Sequence, residues 1–307
     1  MSHSTPSSIS PARASSDEEH ADSQPNTQQQ GRRRALRRLG KVGLGAAALS
    51  FATFGPAVRD SLAQSTDGPV AILNFALTLE YLESIFYEQG VNTDGLLEGE
   101  AAEVYGLIAE HEEKHVAALR AAISDAGGEP VGGEEGFTAD DFDFTAGGAV
   151  PNPFENYPVY LALSQAFEDT GVRAYKGQAA NIPGDLSAAG LNVLTTALQI
   201  HSLEARHAAE VRRLRATNGS DVEPWISDPL AGFSRLDLSD AAVGLVEMVY
   251  AGEDNLTQGP YDLENQLGDD YTNEELVEAF DEPLGRDDVT AIAAPFAPFL
   301  GEDDDDG

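Results

Sequence analysis

Four stretches of the 307-residue chain carry apolar residues at helical intervals, joined by connections that are short, long and short. The first runs from about Pro69 to Gln89, with Leu73, Ala76, Leu77, Tyr81, Ser84 and Tyr87 spaced as on one helix face. The second spans about Glu98 to Ser124 and stops before Gly127 and Gly128, a helix-ending pair. A third begins near Pro158, a residue suited to a first helical turn, and reaches about Ala180. The fourth covers about Leu186 to Arg215 and ends at Asn218-Gly219. Short joints connect the first stretch to the second and the third to the fourth, the latter holding Pro183-Gly184. The stretch from Asp125 to Tyr157, rich in Gly, Pro, Asp and Phe, is far longer. A loop of that length is unusual in a compact domain unless it crosses the length of a bundle. The expected fold is therefore all-α, a four-helix bundle with one long crossover.

The two halves of this pattern repeat. Glu80 is followed seven residues later by Tyr87, and Glu168 by Tyr175 at the same offset. Each half then carries a Glu-x-x-His pair on its second helix, Glu112 with His115 and Glu204 with His207. Glutamate and histidine three residues apart lie on one helix face, where both can point at one metal ion. The carboxylates fall on apolar stripes: Glu112 with Tyr105, Ile108 and Leu119, Glu204 with Ala197, Ile200 and Val211, Glu168 with Leu161, Val172 and Tyr175. An uncompensated charge there is costly, and two divalent cations would balance four carboxylates. Oxygen-rich ligation with one histidine per ion suits Fe or Mn. Glu110 and Lys114, by contrast, form an exposed i,i+4 pair.

The segments Leu77–Glu83, Ala109–His115 and Leu203–His207 resemble the ferritin-like superfamily, in particular its exported branch that includes desiccation-related proteins. The resemblance covers about residues 69–215. It implies a ferritin-like bundle with Glu80, Glu112, His115, Glu168, Glu204 and His207 as ligands of two ions, Fe or Mn. On the first helix Glu83 also faces inward; Glu80 is preferred because its offset to Tyr87 matches the second half. Glu83 is then a seventh, bridging or switching ligand, or a surface residue. Such a centre would react with O2 or peroxide, oxidising Fe(II) or removing H2O2, as an oxidoreductase of the ferroxidase or catalase-like kind. Tyr87 and Tyr175 would donate hydrogen bonds or an electron, or else simply pack. Two other readings stand beside this one. A metal-free or structurally metallated bundle would serve in stress protection. A zinc protease would use the His-Glu-x-x-His segment at 111–115.

Residues 1–31 are Ser-, Gln- and Pro-rich and are expected to be disordered. Residues 32–63 read as a twin-arginine-like signal: arginines at 32–38, a weakly apolar run from Val42 to Phe54, and Ser61-Leu62-Ala63 as a small-residue cleavage site. At roughly 13 residues that run is too short to span a bilayer. No other segment is expected to reach transmembrane length. The protein is therefore expected outside the cell or at its surface, touching the membrane only through its signal. The bundle would occupy residues 64–216. Net charge is −35 with no cysteine, so neither nucleic acid nor an anionic membrane suits the chain as partner. The core must hold without disulfides. Many carboxylates beside three lysines look halophilic, since high salt screens self-repulsion. A homo-oligomer is possible. The acidic segment 217–307 is expected to pack on the bundle or in an assembly contact. It shows a short helix at Ser239–Tyr250, another from Thr272 with a Thr272/Glu275 capping box, and a solvated Glu302–Asp306 tail.

Overall fold

A computed structural model describes residues 68–179, 181–182, 188–227, 230–233, 236 and 238–300. The expected disordered tail, signal and cleavage site, the Pro183-Gly184 joint, a fourth-helix start at Leu186 and the Glu302–Asp306 run lie outside the described residues.

Four long helices form the bundle: α1 (Pro69–Asn92), α2 (Glu100–Asp125), α3 (Tyr157–Ala179) and α4 (Ala188–Thr217). α1 packs along α2 and α3 along α4, and the two hairpins meet through α1–α3, α2–α4 and α1–α4 contacts. Pro69 opens α1 behind Gly68, where a missing N–H costs nothing because the first turn has no partner for it. α1 is buried more completely than its sequence stripe foretells. Phe75, Leu79, Leu82 and Glu83 are buried as well as Leu73, Leu77 and Tyr87, while Ala76 and Ser84 are only half-buried. Its neighbours cover it on several sides, because residues from the C-terminal segment reach it too: Ile292 and Ala293 line a small cavity with Leu79, Leu82 and Glu83. By length and composition α1 could cross a membrane, which corrects the expectation that no such segment follows the signal. Most of that window is buried inside the bundle, as in the core helix of a soluble domain.

The crossover, residues 126–156, contains one short 3-10 turn at Ala139–Asp141 and lies against the bundle. Asn74 of α1 holds it by accepting from Val131 N (2.9 Å) and donating to Glu129 O (3.0 Å). Arg120 of α2 donates to Gly133 O (2.7 Å), Glu134 O (3.1 Å) and Tyr81 Oη (2.6 Å). Phe144 and Phe154 of the crossover then pack on Phe86, closing one side of the core.

Beyond the bundle come α5 (Asp240–Val249), the two-residue strands β1 (Thr257–Gln258) and β2 (Tyr261–Asp262) paired antiparallel, α6 (Leu263–Leu267), α7 (Asn273–Val277) and α8 (Arg286–Ala293). Ser239 caps α5, and the Thr272/Glu275 capping box is present at α7. The segment packs mainly on α3 through α5 and α8. Buried polar groups fasten it there. Arg173 donates to the carbonyls of Val249, Ala251 (2.6 Å) and Glu282 (2.8 Å) and lies 3.0 Å from Glu253 Oε1. Asp169 takes a bidentate pair from Arg212 (2.7 and 2.5 Å) and a hydrogen bond from Tyr250 Oη (2.6 Å). Gly177 lets the Leu284 backbone cross α3, since a Cβ there would sit 1.9 Å from the Leu284 carbonyl oxygen.

Candidate metal centre

Each bundle helix sends one carboxylate or a Glu-x-x-His pair to a common interior point. Glu80, Glu112, His115, Glu168, Glu204 and His207 are all buried, and they fall into two overlapping groups. Glu80, Glu112, His115 and Glu204 form one; Glu112, Glu168, Glu204 and His207 form the other. Within each, one ligand atom per residue lies within 4.8 Å of every other. Glu112 and Glu204 belong to both groups, so each would lie within reach of two ions.

Two tyrosines brace the pair crosswise. Tyr87 Oη of α1 donates to Glu168 Oε1 of α3 at 2.6 Å, and Tyr175 Oη of α3 donates to Glu80 of α1. The repeated Glu-to-Tyr offset thus has a physical meaning, with each half's tyrosine fixing the other half's glutamate. Burial, with the adjacent glutamate second, holds both phenols well above their usual titration range, so each stays a donor.

Electrostatics without a cation are unfavourable. Burial raises Glu80 to about 7 and Glu204 to about 8, against the lowering influence of His115. Burial also raises Glu168, partly offset by His207. For His207 burial opposes protonation, but Glu168 and Glu112 outweigh it and lift the imidazole to about 11. His115 is raised for the same reason by Glu112, Glu204 and Glu80. The protein's own groups compensate one another only in part. Glu112 Oε1, Glu168 Oε2, both Glu204 oxygens and His207 Nδ1 are buried without a hydrogen-bond partner. Some of these atoms are close: His207 Nδ1 is 3.0 Å from Glu112 Oε1, but the pair is not aligned as a hydrogen bond. Buried carboxylate oxygens and an imidazole nitrogen aimed at a shared point, rather than satisfied by each other, are what a cation needs. Gly171 adds room, because a Cβ there would meet Glu204 Oε2 at 3.2 Å and Glu83 Oε1 at 3.3 Å. The donor set fits two divalent ions.

Glu83 is buried, which removes the surface alternative. It joins neither ligand group, and burial with the charges of Glu204 and Glu168 holds it protonated well above the carboxylate range. His111, the first histidine of the His-Glu-x-x-His segment, also belongs to neither group; its Nδ1 faces His207 Nε2 at 3.0 Å. A zinc site built on His111 and His115 would need both to face one ion. Glu110 and Lys114 pair at 2.6 Å on the exposed face.

The sequence reading missed three contributors: Gly171, the His111–His207 contact, and His201, whose ring bonds the Val172 carbonyl of α3 through Nδ1 at 2.9 Å. A glycine one turn after Glu168 was the available signal for the first; the others depend on pairing between distant helices.

Residues 68–217 match the family model of the ferritin-like domain. In fold the bundle is ferritin-like. Its match ends with α4, so the segment clamped onto α3 lies beyond it. No curated protein and no solved structure matches the chain. The ferritin-like domain holds a buried cluster of glutamate and histidine able to take metal ions.

Proposed function

We propose that this is an exported di-metal carboxylate protein. Glu80, Glu112, His115, Glu168, Glu204 and His207 hold two ions of Fe or Mn that react with O2 or peroxide, oxidising Fe(II) or removing H2O2. The observation that carries it is the set of buried, unpartnered ligand atoms converging from four helices. When bound, two such ions polarise an oxygen species and exchange electrons with it. The chain does the rest. Glu112 and Glu204, which belong to both groups, would each serve both ions, His115 and His207 would each serve one, and Tyr87 and Tyr175 hold Glu168 and Glu80 in orientation. Phe86 packs against Tyr87, and Tyr105 lies behind it, so bulk water is kept from that side. Metal content and peroxide or Fe(II) turnover of the purified protein test this. About two Fe or Mn per chain, with turnover that a chelator stops, is the expected result. One zinc per chain, lost on replacing His111, would replace this reading with a protease.

Export is part of the same proposal and rests on the arginines at 32–38 and the cleavage site near Ala63. A twin-arginine route carries folded protein, so the centre would load before leaving the cytoplasm. Replacing the paired arginines with lysine is expected to retain the protein inside the cell, with its metal bound. Unimpaired secretion of that variant would remove the route.

A further inference from the structure

We infer that molecular oxygen reaches the centre through the C-terminal segment: an apolar passage runs from beneath α5 and α8, past Ile292, to Gly171, and admits O2 while turning H2O2 away. The inference rests on the di-metal reading above and names which of its two oxidants that side of the centre is built to take.

Two cavities lie in line between α3 and the segment that follows the bundle. The outer one, of about 40 Å³, is walled by Ala162 and Leu163 of α3, Ala242 and Val246 of α5, and Phe296. Leu238 and Leu245 on its rim are half-buried, so it lies just below the surface. The inner one, of about 10 Å³, is walled by Leu79, Leu82 and Glu83 of α1, Thr170 and Gly171 of α3, and Ala293 of α8. Phe167 and Ile292 border both cavities and so form the partition between them. The inner end stops at the centre. A Cβ on Gly171 would meet Glu204 Oε2 at 3.2 Å, so a glycine without a side chain is what separates this cavity from a ligand carboxylate.

The walls select the occupant. Every residue lining the outer cavity is apolar. A water or H2O2 molecule there finds no hydrogen-bond partner and forfeits those it had in bulk water, at considerable cost. O2 has no hydrogen bonds to forfeit, and dry cavities of this kind take up apolar guests such as xenon. Thr170, at the inner cavity, already donates its hydroxyl to the Ala166 carbonyl at 2.7 Å. Glu83 is the polar group at the inner end, where the oxidant is delivered. Phe167 is a fixed part of the partition, held edge-on by Phe86 and Phe296 with centroids 5.1 and 5.0 Å away. The movable part is Ile292, whose side chain has other staggered rotamers. It stands on α8, outside the residues that match the ferritin-like domain, so the passage belongs to this chain's own C-terminal segment.

The test changes Ile292 in the full chain in both directions: Ile292→Phe closes the partition and Ile292→Ala widens it. Ile292 belongs to neither ligand group. Crystals of the metal-free protein are first pressurised with xenon, whose positions are read by anomalous diffraction. Xenon is expected in both cavities of the wild type and only in the outer one of Ile292→Phe. Protein loaded with Fe(II) is then mixed with limiting O2 or with H2O2, and the appearance of Fe(III) is followed by stopped-flow absorbance. Ile292→Phe is expected to slow the reaction with O2 about tenfold, as crowding a packed passage would. Ile292→Ala is expected to speed it, and metal content should be unchanged in both. The rate with H2O2 should be the same in the wild type and both variants. If Ile292 served packing alone, the two substitutions would act in the same direction. No xenon in the wild type, O2 rates indifferent to both substitutions, or H2O2 rates that follow them overturn the passage and leave the di-metal centre standing. No Fe bound by the wild type overturns both.

Discussion

Replacing Glu112 with alanine is expected to empty both metal positions at once, taking bound Fe or Mn from about two per chain to near none. The reason is its place in both ligand groups. Its Oε2 lies 2.8 Å from His115 Nδ1 and its Oε1 3.0 Å from His207 Nδ1, so each ion loses a carboxylate and the charge between the ions goes with it. Glu204→Ala should do the same, since Glu204 is the other shared residue. Glu110→Ala, at an exposed neighbour paired with Lys114, should leave metal content unchanged.

The same variant separates a metal centre from a polar core that merely satisfies itself. In a self-satisfied core, deleting Glu112 would leave a buried imidazolium short of a partner, at a cost of about 3–5 kcal/mol. In a centre shaped for cations, carboxylates already crowd one another: Glu83 is pushed up by burial and by Glu204, Glu168, Glu112 and Glu80 together. Removing Glu112 relieves that repulsion, while His115 keeps Glu80 and Glu204 beside it and His207 keeps Glu168. Metal-free Glu112→Ala should accordingly melt cooperatively within about 1 kcal/mol of the metal-free parent, by far-UV dichroism. A loss of several kcal/mol with metal content unaltered would instead make the cluster structural.

How much of this was legible in the sequence depends on range. Helix positions follow from local spacing, which is why α1 and α2, expected at about 69–89 and 98–124, form at Pro69–Asn92 and Glu100–Asp125. The meeting of four helices at Glu80, Glu112, Glu168 and Glu204 was legible because the duplication places each on its helix's apolar face. Preferring Glu80 over Glu83 rested on a matched tyrosine offset, and the crosswise Tyr87–Glu168 and Tyr175–Glu80 bonds give that offset its cause. What escaped was long-range. Glu83 reads as ambiguous until the C-terminal segment, with Ile292 and Ala293, is laid over it. Arg173 looks like an ordinary helix cation, yet it is buried because its partners are carbonyls at Val249, Ala251 and Glu282. No periodicity encodes a side chain bonded to backbone that far along the chain.

Stability of the metal-free and metal-loaded forms should respond to pH with opposite sign. In the metal-free protein Glu80 and Glu204 keep their protons to about 7 and about 8, where an unfolded glutamate has released its own near 4.5. The folded state therefore binds more protons than the unfolded one across that window, and stability falls as pH rises through it. His207 acts in the same direction. Its raised value, about 11, means that the stability it contributes is fully present below 6.5 and is lost progressively above. Each unit of pH within these windows costs about 1.4 kcal/mol per such proton. Between pH 5.5 and 8, at fixed salt because the chain carries −35, the metal-free melting temperature should drop by roughly 5 °C or more. Bound metal requires deprotonated carboxylates and free imidazole lone pairs, so its affinity, and the stabilisation it adds, increase over the same range. The gap between the two melting curves should widen with pH. Parallel curves, or a metal-free protein that gains stability toward pH 8, would mean that the buried carboxylates are already charged and compensated without metal.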